Sequence, residues 1–464
     1  MKNRANQFFS KIVADDLYIP PKDHMTARHV WQAIRYFGVK KNESSELPKE
    51  LKNLLKIWDQ EGDQNYTVLM LAILATNSTV ADYLIDREAY LDAVNRDGWT
   101  ALMMACGSSQ ESLGVKLVSK KVGLNIQNRE KVTALMLASI NGLESLACRL
   151  ITAKANLNVQ NKDKNTALIF ACNYGREALA FQLIGAKANL NIQGKKGWTA
   201  LMFACCYGHE NIVQRLIDAN AKLNLQNEGR WTALMVACFH GQEAVALKLI
   251  NAKANLSIQN EGKLTALMLA CRYGLKAVAL RLIAEKANLE AQSDTGSTAL
   301  MIACHYDQEI VALQLIEEKA NLKAQDNEGW TALMIACAKG QEAAAMKLIE
   351  AQANLEAKNK VGMTALMFAC SYDHEVVALK LIKSDVEINC KNSIGLTTLM
   401  FAANANQKYV VRALMKRNVR TDDVWEYEEI KATALGLARE KGHQEIIEML
   451  EAAGALELPP YNPS

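Results

Sequence analysis

Proline is scarce in this sequence, 6 residues in 464, and aromatic residues make up only 6%. Charge of one sign is also scarce. A net charge of +3 and a pI near 8.2 fall short of the basic footprint expected of a nucleic-acid binder. The longest apolar runs are far below the ~20 residues needed to cross a membrane as a helix. Asp15 and Asp16 interrupt the N-terminal apolar sequence too early for a secretory signal. There is no Walker loop, no dinucleotide-binding G-x-G-x-x-G, no H-E-x-x-H and no G-x-S-x-G. His24 and His29 stand five apart without a Cys or carboxylate pattern around them, which argues against a metal site. No catalytic residue, metal ligand or cofactor motif emerges.

Repetition is what the chain has in abundance. Equivalent threonines fall at Thr67, Thr100, Thr133, Thr166, Thr199, Thr232, Thr265, Thr298, Thr331, Thr364 and Thr397, every interval being 33 residues. A twelfth copy opens at Thr433, 36 residues on. A fixed period of this length means stacked supersecondary units rather than one globular core. In the copy from Trp198 to Arg230, Ala200 to Cys205 reads as a short helix capped by Thr199. Gly208 supplies a left-handed turn. Glu210 to Ile217 gives a second helix with an apolar stripe, and Asn227 to Gly229 a hairpin tip. Asp307, Asp373 and Asn406 replace the turn glycine in three copies and tolerate that conformation. Thr76 and Ser109 make the first two copies less regular. Leu-Ile pairs such as Leu183-Ile184, Leu249-Ile250 and Leu315-Ile316 predict a continuous core along the array.

A unit of turn, helix, turn, helix and hairpin at period 33 resembles the ankyrin-repeat family, whose signature is T-P-L-H-x-A. Here it is written TALMxA, as in Thr199-Ala200-Leu201-Met202 and Thr232-Ala233-Leu234-Met235. The resemblance covers about residues 66–456 and implies an all-α dominated repeat solenoid, an ankyrin array of helix-turn-helix-hairpin units. Alanine replaces the proline and methionine the histidine. The second change exchanges polar bonding between repeats for packing of flexible thioethers, with slightly looser local order expected.

Eight of the eleven cysteines sit six residues after a repeat threonine: Cys106, Cys172, Cys205, Cys238, Cys271, Cys304, Cys337 and Cys370. Ser139 and Ala403 fill the same slot, so the slot wants a small residue. Only the terminal copies depart, with Ile73 and Arg439, where a neighbour is expected on one side alone. Stacked equivalents ~8–10 Å apart are too far for disulfides or zinc. Many unpaired thiols fit a reducing, cytoplasmic compartment.

Outside the regular array, residues 1–65 read as helices at 6–13, 26–37 and 48–60, an N-terminal cap over the first repeat or a docking segment. Arg420 to Lys431 carries the three inserted residues and reads as a longer, acidic hairpin or loop. The last repeat presents Arg439, Glu440, Lys441, Gln444 and Glu445, as a C-terminal cap should. Residues 457–464 read as a disordered proline-rich tail, in which Leu458-Pro459-Pro460-Tyr461 is similar to a ligand of WW-type domains.

In ankyrin arrays the hairpin tips and first helices line a concave groove. The resemblance therefore places there the residue before each threonine and the two that close the first helix. Those positions hold Tyr174, Trp198, Tyr207, Trp231, Phe239, His240, Arg272, Tyr273, His305, Tyr306, Trp330 and Tyr372. Interface hot spots favour Trp, Tyr and Arg, and Tyr and Trp give broad contact with few rotors to freeze. The reading is a non-enzymatic scaffold binding a partner protein or extended peptide, with no nucleic acid, no membrane insertion and a monomer favoured. Two alternatives stay open. The aromatics could be copied by duplication and pack on neighbouring hairpins. The array could be the targeting module of an enzyme with activity in the N-terminal segment, Cys304 beside His305 being the one thiol–imidazole neighbour. More loosely, arrays of this regularity are similar to those of protists and of intracellular bacteria that deliver them as effectors into a host cytosol.

Overall fold

In the computed structural model, residues 66–88, 90–427 and 430–456 are described. The expected N-terminal helices and the proline-rich tail lie outside them. The chain divides into two compact units at Glu228 and Gly229. Helix pairs open at Thr67, Thr100, Thr133, Thr166 and Thr199 in the first unit, and at each later repeat threonine, from Thr232 to Thr433, in the second. First helices are 7 or 8 residues long, such as Ala167–Asn173, and second helices are 9, such as Glu243–Asn251. Helices this short are not stable alone in water. Within each unit they are held by packing, first helix on first helix and second on second, along successive repeats.

Every first helix begins the same way. The repeat threonine is extended, and its Oγ1 accepts the N–H three residues on, at 3.1–3.4 Å. That N–H belongs in most copies to the methionine of TALM, whose side chain is fully buried. The turn after the first helix is left-handed throughout. It is glycine at Gly142, Gly175, Gly208, Gly241, Gly274 and Gly340, and Asp307, Asp373, Asn406, Thr76 and Ser109 adopt it as well. A second left-handed position closes the second helix and is lysine in half the copies, at Lys121, Lys154, Lys187, Lys253, Lys286 and Lys319.

The second helices start differently. Except at Asn77, no N-cap side chain holds their first turn; in two copies a glutamate of the preceding repeat does so, Glu111 for Leu146 N and Glu309 for Ala343 N and Ala344 N. Most begin with glutamate, which suits the positive end of the helix dipole. In several copies the N-cap residue reaches backward instead. Gln341 Nε2 donates to the Cys304 carbonyl at 2.7 Å and to Asp307 Oδ1 at 3.2 Å. Gln407 Nε2 does the same to Ala369 O and Asp373 Oδ1, and Arg176 bonds Ile140 O. The bonds of Gln341 and Arg176 satisfy carbonyls that a helix C-terminus leaves open, whereas Ala369 O also accepts from His374 N.

The loops add a further seam. Asn158 Oδ1 accepts from Asn189 N at 2.8 Å and Asn191 Oδ1 from Lys222 N at 2.8 Å. Glu290 and Glu356 take the same part for Asn321 N and Glu387 N. At the tips, Asn128, Asp326 and Asn359 each close their own turn by accepting two backbone N–H groups. The inserted segment folds as a hairpin, as expected, with strand β1 (Trp425–Tyr427) antiparallel to β2 (Ile430–Ala432) and Trp425 opposite Ala432.

The cysteine slot lies in the first-helix seam. All eight slot cysteines are fully buried, as are Ser139 and Ala403, and all are free thiols. The two terminal departures behave differently: Ile73 is fully buried, whereas Arg439 is exposed. The other polar residues expected of a C-terminal cap, Glu440, Lys441, Gln444 and Glu445, are exposed too.

Candidate functional site

In most copies the residue that precedes the left-handed turn is the C-cap of the first helix. Its backbone has already left the helix, so its side chain leaves the seam and meets solvent. Tyr174, Tyr207, Tyr273, Tyr306 and Tyr372 occupy this position. Their exposure lies between 39 and 56%. His240 occupies it in another copy and is also exposed. One residue earlier stand Phe239, Arg272 and His305, all exposed. The tryptophans before the repeat threonines, Trp198, Trp231 and Trp330, are half-buried.

In the first unit, Trp198 packs on Phe203 with ring centroids 4.9 Å apart. Tyr207 stacks on His209 at 6.0 Å. Burial holds the His209 imidazole below its ordinary range, against the opposing pull of Glu177. Gly175 makes room for this ring: a Cβ there would lie 2.6 Å from the imidazole.

In the second unit the rings form a connected row. Trp231 meets Phe239 edge-on at 5.1 Å, and Phe239 meets His240 at 5.0 Å and Tyr273 at 5.2 Å. The Arg272 guanidinium sits 6.0 Å from the Tyr273 centroid and 5.6 Å from that of Tyr306. His305 lies against Tyr306 at 4.9 Å. Partial burial, then Lys339 and Arg272, push the His305 imidazole below its ordinary range. Further on, Trp330 stacks on Phe368 at 4.4 Å, and Tyr372 is exposed beyond it.

The structure thus separates two kinds of sequence candidate. The tyrosines, with Phe239, His240, Arg272 and His305, present open surface. The tryptophans are partly spent on packing against aromatic residues of the first helices. Phe203 and Phe368 complete that packing and were not among the sequence candidates. Their signal is the position four after the repeat threonine, aliphatic in most copies and aromatic at Phe170, Phe203, Phe368 and Phe401. Lys339 was also missed, because it replaces tyrosine at the cap-adjacent turn of its repeat.

The remaining polar chemistry is structural. Hairpin-tip charges pair with one another, as in Arg129–Asp97, Lys162–Glu130, Lys195–Asp163 and Lys360–Glu328, at 3.1–3.3 Å. Exposed pairs of this kind contribute little. Cys304 is fully buried, and burial pushes its thiol up to about 12, while His305 faces outward; the two are not a nucleophile and its base. Among the described residues no group of three His, Cys, Asp or Glu is placed to hold a metal ion, and no helix is long and apolar enough to cross a membrane.

Helical hairpins stacked on buried seams define an all-α repeat solenoid. The sequence matches the family described as ankyrin repeats (3 copies) at residues 39–127, 110–192, 170–260, 248–326, 307–392 and 376–456. The chain belongs to the ankyrin-repeat family. Ankyrin repeats are in general protein–protein interaction modules, and the family is typically non-catalytic. No curated protein matches the sequence.

Proposed function

We propose that this chain is a non-enzymatic scaffold that holds a partner protein or extended peptide against the aromatic side chains at the ends of its first helices. One observation carries the reading: tyrosine recurs at one repeat position and stays largely exposed there, while the neighbouring slot positions are fully buried. Five rings about half open to water at the ends of well-packed helices keep surface that their neighbours do not cover, and Tyr and Trp are among the residues that dominate interface energetics. The half-buried tryptophans pack on phenylalanines of the first helices, Trp198 on Phe203, Trp231 on Phe239 and Trp330 on Phe368, and leave less surface for a partner. Eleven free cysteines support a reducing compartment.

The test is capture of partners from a eukaryotic lysate, wild type against a Tyr174→Ala, Tyr207→Ala, Tyr273→Ala, Tyr306→Ala variant. All four rings are exposed, so the variant should keep the wild-type circular dichroism. A protein enriched by the wild type and lost from the folded variant is the expected result. A partner retained by both moves the site elsewhere. Absence of any partner favours copied aromatics that only pack.

A further inference from the structure

The row of rings in the second unit carries two cations that the fold does not use. Arg272 is exposed and lies between the rings of Tyr273 and Tyr306. Those rings hold the guanidinium in place by cation–π attraction, yet among the described residues it makes no ion pair and no side-chain hydrogen bond. Lys339 stands two repeats further on, at the position where other copies carry tyrosine, and makes no ion pair among the described residues either. Both cations act on His305, which lies between them in the chain.

The nearby carboxylates are committed elsewhere. Asp307 accepts from Gln341 Nε2 at 3.2 Å. Glu309 accepts the backbone N–H groups of Ala343 and Ala344 at 2.9 and 3.3 Å. Asp373 accepts from Gln407 Nε2. Each of these acids ties its repeat to the next, and none forms an ion pair with Arg272 or Lys339 among the described residues. The row therefore offers a guanidinium beside two rings and an ammonium two repeats on, neither of them ion-paired among the described residues.

From this juxtaposition we infer that the second unit's row takes an acidic extended peptide. Apolar side chains of the peptide lie on Phe239, Tyr273 and Tyr306, and one carboxylate meets each of Arg272 and Lys339. A guanidinium fixed between two rings presents its N–H fork with little entropy left to lose, which suits a carboxylate. Successive repeats are ~10 Å apart and an extended chain rises ~3.3 Å per residue, so the two carboxylates belong about six residues apart.

This inference rests on the proposed scaffold function, and the test separates the two. Two labelled peptides are titrated into the full chain by fluorescence anisotropy. One carries leucines between two glutamates six residues apart; the other has lysine for each glutamate. Wild type should favour the glutamate peptide by roughly tenfold, and an Arg272→Glu, Lys339→Glu variant, whose changes lie on the surface, should reverse the preference. Equal binding of both peptides, a preference that survives the charge reversal, or no binding of either overturns the inference. Equal binding that is abolished by Tyr273→Ala with Tyr306→Ala overturns only the charge part and leaves the aromatic scaffold standing. A glutamate preference that persists without those rings overturns the aromatic surface instead.

Discussion

Thr76 holds a β-branched side chain at φ 56°, in the left-handed turn that most other copies give to glycine. The conformation costs an L-residue about 1–2 kcal/mol, of which glycine's larger unfolded-state entropy returns a part. Thr76→Gly should therefore stabilise the first unit by about 1 kcal/mol, seen as a higher urea midpoint at unchanged slope. Gly175→Ala should do the reverse and by more, because its Cβ would meet the His209 ring at 2.6 Å in a backbone that already disfavours it. The buried thiols set a pH dependence. Burial holds Cys238 and Cys304 up to about 12 against an ordinary 9.0, and raises Cys106, Cys172, Cys271, Cys337 and Cys370 as well. Unfolded thiols release their protons as pH rises past 9 while the folded ones keep theirs. The stabilisation is thus fully present below pH 9 and is lost as pH climbs toward 12. A Cys238→Ala, Cys304→Ala variant should lose less between pH 9 and 10.5 in equilibrium urea unfolding. The small size of this slot was legible because Ser139 and Ala403 share it. The half-burial of the tryptophans was not, since it depends on rings such as Phe368, which lies 38 residues from Trp330 in sequence.

Among elements, the two helices of each repeat are started by different means, and only one of them is local. The threonine cap binds an N–H three residues away, so it could be read from TALM. The second helix is anchored through bonds such as Gln341 to Cys304, 37 residues back, and nothing in a short window announces that. Gln341→Ala would leave a helix-end carbonyl without its donor in a dry seam. The expected loss is about 1–2 kcal/mol, read as faster hydrogen exchange in the helix Ala299–His305 with little change in the first unit. The same reasoning explains the loop asparagines, whose sequence looks like generic turn chemistry but whose side chains bind the backbone of the following repeat.

At the scale of the whole molecule, the fold was legible because one period is written again and again, and each copy repeats the same solution to the same burial problem. The binding surface was only half legible. Its tyrosines follow the period, but Arg272 acquires meaning from the rings of Tyr273 and Tyr306 beside it, and Lys339 from standing where other copies carry tyrosine. Array stability should be close to a sum over repeats and their interfaces. Deleting residues 299–331, one full period, should leave a folded chain with native-like helicity by circular dichroism, whereas deleting half that length should not. The seam bonds have a further consequence for folding. Since Asn158 would satisfy the backbone of almost any copy as well as that of its own neighbour, a chain docked one repeat out of place forfeits little besides its ends. Such misaligned states are nearly degenerate with the native one, and the landscape is correspondingly rough. What breaks the tie is the irregular minority: the three inserted residues and their hairpin, Gly194 in place of a tip asparagine, and Ile73 and Arg439 in the cysteine slot. These departures from the repeat are the markers by which the chain finds its own alignment.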